Sequence, residues 1–186
     1  HPDGVRLGEL DGGRIDGAVT TPSGTVELFH PYLADDVPRL IARIDRAASK
    51  FVLTSRRHLR SNNSWLHNVP SLMRGKDRCT LLIHPADAAR VGLDDDDLAE
   101  VTTSEATITV VVDVSDEVMP GVVCLPHGWG HGLPGTRLDV ANAHPGVNSN
   151  LLNPPHLIDV PSNTQVVNGV PCSVRAVRDA PALAQS

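Results

Sequence analysis

The feature that most constrains the fold is a series of short apolar runs with the two-residue period of β-strands. In residues 107–114, polar or exposed positions alternate with Ile108, Val110 and Val112, a pattern typical of a strand that is buried on one face. Shorter runs predict strands at residues 51–54, 79–83, 98–103, 122–125, 166–167 and 173–177. Many short strands joined by long connections predict a mainly β protein, namely a compact β-barrel with short helices.

Helical signals are few and short. Residues 84–92 predict a short helix that ends at Gly92. Residues 37–48 predict an amphipathic helix, because apolar side chains recur there at helical spacing after the capping pair Asp35 and Asp36. A short strand is predicted at residues 25–29. The chain is thus divided into a lead-in segment with a strand and an amphipathic helix (1–48), a β-barrel (49–178) and a flexible tail (179–186).

Charge and cysteine usage narrow the class of protein. The net charge of -6 over 186 residues argues against nucleic acid as the main partner. No apolar run approaches the roughly 20 residues that span a bilayer. Cys79, Cys124 and Cys172 lie in apolar segments and form no CxxC pair, so we expect buried free thiols and a reducing, cytoplasmic compartment. Because the sequence begins with His1 and shows no signal segment, it is interpreted as part of a longer protein.

Three loops are unusually polar. The strand at residues 51–54 runs into residues 55–68, which are dense in arginine, asparagine, serine and histidine. Such side chains supply donors for phosphate, ribose and base edges. Residues 127–131 and 148–151 have the same character. Three polar loops on short strands indicate a large polar ligand, although the arginines of the first loop are equally compatible with a solvated surface.

The histidines and asparagines of these loops have more than one interpretation. His127, His131 and His144 are candidates for a zinc site, but the glycines between them favour close approach of the backbone to a flat ligand. Loop histidines without a ligand are a further alternative. The asparagines at 148, 150 and 153 suit either amide hydrogen bonds to a ligand or simple turn chemistry.

The order of these pieces resembles the C-terminal molybdopterin-dinucleotide-binding domain of the molybdopterin oxidoreductases, the family of dimethyl sulfoxide reductase, nitrate reductase and formate dehydrogenase types. The resemblance covers about residues 20–178 and depends on several motifs in register. The segments that carry it are residues 21–28, 53–56, 84–97, 120–123, 148–151, 159 and 168–174.

The resemblance implies a six-stranded double-psi β-barrel. It also implies a cofactor, the bis-pyranopterin guanine dinucleotide with molybdenum or tungsten, shared with further domains of a parent oxidoreductase. An iron–sulfur cluster would belong to the parent enzyme only, because the chain has no cysteine cluster. The isolated domain is expected to be inactive, since the metal centre does the redox chemistry while the protein binds and orients it.

The resemblance further implies cofactor contacts but no catalytic residue and no metal ligand in this chain. Ser55 and Arg56 would hold a pyrophosphate at the strand end, and asparagine amides would address ribose and guanine. Asp159 would accept from guanine N–H groups, or would serve as a turn residue. The predicted cofactor-binding residues are Thr54, Ser55, Arg56, Asn62, Asn63, His67, Asn68, His127, Gly128, Trp129, Asn150 and Asp159.

The sequence departs from the family pattern at two places. Asp96 stands where glycine is common, and the segment at residues 150–153 lacks the usual threonine. Two alternatives of other classes therefore stay open. One is a stand-alone double-psi barrel that acts as an interaction or adaptor module, with an exposed apolar groove. The other is a small metalloenzyme that uses His127, His131 and His144.

Overall fold

The computed structural model describes residues 1–9, 12–44 and 50–177. The chain divides into two compact units, residues 1–46 and 47–186. The tail predicted at residues 179–186 lies outside the described residues, as do residues 45–48 of the predicted amphipathic helix.

The described part of the first unit contains three short helices, α1 (Ile15–Ala18), α2 (Pro31–Ala34) and α3 (Val37–Ile44). Helix α3 begins where the sequence predicts it and exposes its apolar side chains. The strand predicted at residues 25–29 is wrong, because these residues form no strand. A turn precedes them instead, in which the Thr21 hydroxyl donates to the Thr25 carbonyl at 2.6 Å.

The second unit is a closed barrel of six strands. The strands of this unit are β1 (Phe51–Arg56), β2 (Thr80–Ile83), β3 (Leu98–Thr102), β4 (Thr107–Val114), β5 (Val122–Pro126), β6 (Ile158–Asp159), β7 (Thr164–Gln165) and β8 (Val170–Ala176). The barrel order is β1-β5-β2-β4-β3-β8, and β6 and β7 form a separate hairpin. The prediction of a mainly β, six-stranded barrel with short helices is confirmed. The strand predicted at residues 166–167 is wrong, because the hairpin strand is Thr164–Gln165.

Two strand pairs in the barrel are parallel, and they determine where the loops emerge. Strand β1 runs parallel to β5, with Val52 beside Val122 and Arg56 beside Pro126. Strand β2 runs parallel to β4, and the other four pairs are antiparallel. Because parallel strands end at the same edge, the loops that follow β1 and β5 meet at one end of the barrel.

The barrel core is aliphatic, as the low aromatic content of 3% requires. Leu81, Ile83, Val101, Val112 and Val123 are fully buried, and their alternation with outward residues along each strand explains the two-residue period of the sequence. The three cysteines are buried and free, as predicted. Burial raises the pKa of the Cys172 thiol to about 12, so this thiol stays protonated and behaves as a small apolar side chain.

One buried carboxylate fastens a helix to the barrel. Helix α5 (Pro85–Val91) follows α4 (Pro70–Met73) and β2, and ends at Gly92, whose φ of 72° gives the left-handed C-cap that the sequence predicts. On this helix, Asp87 accepts from the Arg90 guanidinium at 2.6 Å and from the Gly121 N–H at 2.6 Å. Burial pushes the pKa of Asp87 upward, but the bonds from Arg90 and Gly121 outweigh it and hold the pKa below its usual value.

Replacing Asp87 by alanine is expected to lower the free energy of unfolding by about 2–3 kcal/mol, because the Gly121 N–H loses a charged acceptor. Chemical denaturation at pH 7 measures the loss, and Asp116→Ala, at an exposed position, is the matched control with little expected effect. Since the pKa of Asp87 is lowered in the folded state, the contribution is lost as pH falls through that pKa. Equal stabilities of the two variants at pH 7 would contradict the role of Asp87.

Candidate functional site

A polar cleft of about 560 Å³ opens at the end of the barrel where β1 and β5 finish. Two loops flank it, the first loop (residues 57–69) after β1 and the second loop (residues 127–138) after β5. The His127 N–H donates to the Arg56 carbonyl at 3.4 Å, which holds the bases of the two loops together. The cleft is lined by Leu53, Thr54, Ser55, Arg57, Asn63, Leu125, His127, Gly128, Ser149, Asn150, Asn153, Val167 and Asn168.

Six of the twelve predicted site residues line this cleft. They come from three separate segments, the end of β1, the two flanking loops and the 3₁₀ turn Ser149–Leu152. The six are Thr54, Ser55, Asn63, His127, Gly128 and Asn150.

A close contact between the loops shapes one wall of the cleft. Asn63 has a left-handed backbone with φ of 60°, and its side-chain oxygen accepts from His127 Nε2 at 2.9 Å. Gly128, with φ of 89°, lies so close that a Cβ there would be 2.6 Å from the Asn63 carbonyl carbon. The glycine is thus required by close approach of the second loop to the first. The Asn63 amide nitrogen remains available as a donor.

Asn168 organises the opposite wall and was missed from the sequence. Its side-chain oxygen accepts from the Ser55 N–H at 2.7 Å and from the Thr54 hydroxyl at 3.0 Å. The next residue, Gly169, donates to the Leu53 carbonyl at 2.9 Å. Only the antiparallel pairing of β1 with β8 brings Asn168 to this place, and the sole sequence signal is an Asn-Gly turn pair.

The cleft has a favourable charge balance for an anion. Arg57 is the only Lys or Arg side chain among its lining residues, and no carboxylate lines it, although the chain carries a net charge of -6. Within the described residues, Arg57 makes no ion pair. Its guanidinium, which is always charged, is therefore available to a phosphate group.

Arg56, the arginine predicted to bind phosphate, has a structural role instead. Successive residues of a strand point to opposite faces, so Arg56 turns away from the cleft that Ser55 and Arg57 line. Its guanidinium donates to the Cys124 carbonyl at 2.8 Å and to the Thr80 carbonyl at 2.9 Å, which joins β1, β5 and β2. The prediction of a cofactor contact misses by one residue.

Three more predicted residues lie outside the cleft and have other roles in the structure. Asn62 is exposed, with φ of 42° in a turn of the first loop. The Asn68 side-chain oxygen accepts from the N–H groups of Val140 and Ala141 at 3.1 and 3.2 Å, which supports helix α6 (Asp139–Ala143). Asp159 accepts from the Ser162 N–H at 3.2 Å in the turn of the β6–β7 hairpin, as the turn interpretation predicts.

The last two, His67 and Trp129, form a buried cluster beside the cleft. His67 is 1% exposed, and its ring lies 4.0 Å from the Trp129 ring. Trp129 also packs with Met73 and Cys79. His67 Nδ1 lies 2.8 Å from His131 Nε2, so the two imidazoles share a hydrogen bond. Burial, together with the positive field of His131, Arg78 and His58, lowers the pKa of His67 to about 4. Burial also lowers the pKa of His131.

The three histidines of the metalloenzyme alternative have three different partners. His127 bonds to Asn63, His131 bonds to His67, and His144 Nδ1 lies 2.9 Å from Asp77 Oδ1. Among the described residues, no group of three or more His, Cys, Asp or Glu side chains is placed to hold a metal ion. The arrangement gives this alternative no support.

A second groove, of about 670 Å³, lies elsewhere on the barrel unit. Its lining combines apolar side chains such as Val111, Trp129 and Val147 with the carboxylates of Asp77 and Asp113. The adaptor alternative predicts an apolar groove of this kind. Trp129 contributes to this groove and not to the polar cleft, because its ring packs on the inner side of the second loop.

No helix in residues 1–9, 12–44 and 50–177 combines the length and the apolar character that crossing a membrane requires.

The closed barrel and its polar cleft define a domain that binds a ligand at a strand-end crevice. Residues 51–170 match the family described as "Molydopterin dinucleotide binding domain". This match covers more than half of the chain, and the chain belongs to that family. The resemblance found in the motifs is thereby confirmed.

Known relatives are much longer than this chain. It is 32% identical over 125 residues to a dimethyl sulfoxide/trimethylamine N-oxide reductase of Cereibacter sphaeroides, which covers 58% of this chain and 15% of that protein. It is 34% identical over 70 residues to the putative catalytic subunit of a dimethyl sulfoxide reductase from Halobacterium salinarum, which covers 38% of this chain and 8% of that protein.

A solved structure shows the same fold. The acetylene hydratase from Pelobacter acetylenicus superposes with a TM-score of 0.59 at 20% identity, covering 84% of this chain and 24% of that chain. At this identity the likeness concerns the architecture alone, and the closed six-stranded barrel is that of the double-psi family.

Proposed function

We propose that the polar cleft binds the nucleotide end of a molybdopterin guanine dinucleotide within a multidomain molybdenum or tungsten oxidoreductase. The observation that carries the proposal is the cleft itself, which has one arginine, several amide side chains and no carboxylate among its lining residues, in a domain of the dinucleotide-binding family. Its volume lies within the range of about 300–1,000 Å³ that ligand sites occupy.

The residues present fit such a group. Arg57 would hold the pyrophosphate, because its guanidinium makes charge-assisted hydrogen bonds to phosphate oxygens. The amides of Asn63, Asn150 and Asn153 offer both donors and acceptors, and within the described residues no hydrogen bond engages the Asn150 or Asn153 side chain. Asn168 uses its oxygen on β1, which leaves its amide nitrogen as a donor toward the ligand. A guanine edge, which carries both donors and acceptors, suits this set better than a purely accepting base.

In this role the domain binds and orients the cofactor and excludes water from it. The metal–dithiolene centre at the other end of the cofactor supplies the redox chemistry. The remaining domains of the parent enzyme would be the partners, and any iron–sulfur cluster would lie there. We place the parent enzyme in the cytoplasm because three free thiols are buried in the barrel. The chain on its own is expected to show no oxidoreductase turnover.

The test is a titration of the 186-residue chain with GDP, followed by amide chemical shifts. Arg57→Gln is expected to weaken GDP binding about tenfold, the loss of one charge-assisted contact. Arg60→Gln is the matched control, since Arg60 is exposed on the same loop and lies outside the cleft. Competition by CDP and ADP measures base selectivity, with GDP expected to bind more tightly than either.

Two outcomes would argue against the proposal. One is the absence of shifts at residues 54–57, 63, 127–128, 150–153 and 168 with millimolar GDP. The other is equal GDP affinity of the Arg57→Gln and Arg60→Gln variants, which would mean that the arginine of the cleft is not a ligand contact.

A further inference from the structure

The two flanking loops carry much of the cleft but reach each other through few side chains. The first loop contributes Arg57 and Asn63, and the second contributes His127 and Gly128. Beside the cleft, a second cross-link joins the same two loops, the 2.8 Å bond between His67 Nδ1 and His131 Nε2. Any change in this bond therefore acts on the distance between residues that line the cleft.

The chemistry of an imidazole pair makes this bond sensitive to acid. Two ring nitrogens at hydrogen-bond distance share one proton, since one ring donates and the other accepts. The bond survives with both rings neutral, and it survives when one ring is protonated. When both rings are protonated, two N–H groups face each other across 2.8 Å, and two like charges repel.

The surroundings of His67 further oppose its protonation. The ring is buried against Trp129, and within the described residues His67 Nε2 has no hydrogen-bond partner. An imidazolium there would bury an N–H without an acceptor. The charged groups that act on His67 are His131, Arg78 and His58, all of them cationic or becoming so in acid, and their field reinforces the effect of burial.

We propose that His67 and His131 are positioning residues that form a latch between the first and second loops, closed at neutral pH and opened when both rings are protonated. Closing the latch holds Asn63 beside His127 and Gly128 in the arrangement that binds the ligand. The role in ligand binding rests on the proposed function, whereas the coupling of the two loops does not.

The sign of the pH effect follows from the lowered pKa of His67. The unfolded chain binds this proton near pH 6.5, but the folded domain binds it only near pH 4. The folded state is therefore favoured least in acid, and the contribution of the pair is lost as pH falls from about 6.5 toward 4. Opening of the loops is expected in the same interval.

The test compares two variants of His131, because this ring is less buried than His67. In His131→Gln, the side-chain amide occupies the position of Nε2 and accepts or donates, but it does not titrate. In His131→Phe, the ring remains and the bond is lost. The probe is GDP-mannose, whose pyrophosphate does not ionise between about pH 4.5 and 8, unlike the terminal phosphate of GDP, with a pKa of about 6.

At about pH 7.5, His131→Phe is expected to weaken GDP-mannose binding about fivefold, and His131→Gln less than about twofold, the values for losing or keeping one hydrogen bond. Between about pH 6.5 and 4.5, the wild-type chain is expected to lose about fivefold in affinity, whereas His131→Gln keeps its affinity. Phe and Gln variants that bind equally, or a Gln variant with the acid response of the wild type, would overturn the latch.

Hydrogen exchange separates failure of the latch from failure of the proposed function. Amides of residues 61–69 and 127–132 are expected to exchange faster in His131→Phe than in His131→Gln, with no ligand present. If GDP-mannose fails to bind the wild-type chain while exchange differs as expected, the proposed function is wrong and the latch stands. Equal exchange in the two variants overturns the latch whatever the ligand does.

Discussion

The Gly128→Ala variant is expected to lose about 3–5 kcal/mol of folding free energy and to lose measurable GDP binding. Two costs combine. A side chain at a positive φ costs about 1–2 kcal/mol, and here φ is 89°. In addition, the new Cβ would lie 2.6 Å from the backbone carbon and oxygen of Asn63. Backbone atoms do not swing aside as a flexible side chain does, so overpacking adds about 1–3 kcal/mol. The first loop must move away, and with it Asn63.

The chain contains a matched control for this prediction. Gly135 lies on the same second loop with φ of 86°, but a Cβ there meets nothing within 4 Å. Gly135→Ala therefore carries the backbone cost alone, about 1–2 kcal/mol, and is expected to retain GDP affinity. Thermal unfolding and GDP titration of the two variants make the measurement. If both variants lose the same stability and both bind GDP, the close approach of the loops has no energetic weight.

Replacing Trp129 by alanine is expected to cost about 3–5 kcal/mol, the range for removing a large buried aromatic side chain. Trp129 is 6% exposed and packs with Met73, Cys79 and the His67 ring. Its removal leaves a cavity under the second loop, and the walls of the cavity belong to both loops. GDP affinity is expected to fall together with stability, although the ring does not line the cleft.

Trp65 offers the comparison, because it is the other tryptophan and it lies 82% exposed on the first loop. Trp65→Ala is expected to change stability by less than about 0.5 kcal/mol. Denaturation followed by circular dichroism measures both variants without depending on tryptophan emission. A small effect at Trp129, comparable with that at Trp65, would show that the buried cluster contributes little to the fold.

The barrel strands are predictable because the barrel core follows a period that any strand must have. The run at residues 107–114 is a strand over those very residues, and Gly92 ends its helix as expected from the left-handed C-cap. The predictions at residues 25–29 and 166–167 are wrong for a shared reason. Both depend on apolar residues alone, whereas hydroxyl and backbone bonds in the neighbouring turns decide the conformation.

The candidate site is predictable in its segments but not in its individual side chains. The polar character of residues 55–68 indicates a ligand loop, yet the choice between Arg56 and Arg57 depends on which face of β1 each residue occupies at the strand end. Asn168 enters the cleft through pairing with a strand more than a hundred residues distant. His67 is polar and lies in a polar loop, but it is buried because two loops pack together. These are long-range effects that no local pattern encodes.

The order of strands around the barrel also determines when the domain can assemble during synthesis. Strand β1 has two neighbours, β5 and β8, and neither lies next to it in sequence. At roughly 5–20 residues per second on the ribosome, β1 waits several seconds for both partners, exposing an apolar strand with open edges. The cleft inherits the same delay, since Asn168 lies just before β8. The nascent domain thus becomes competent for its ligand only after its last strand has left the ribosome.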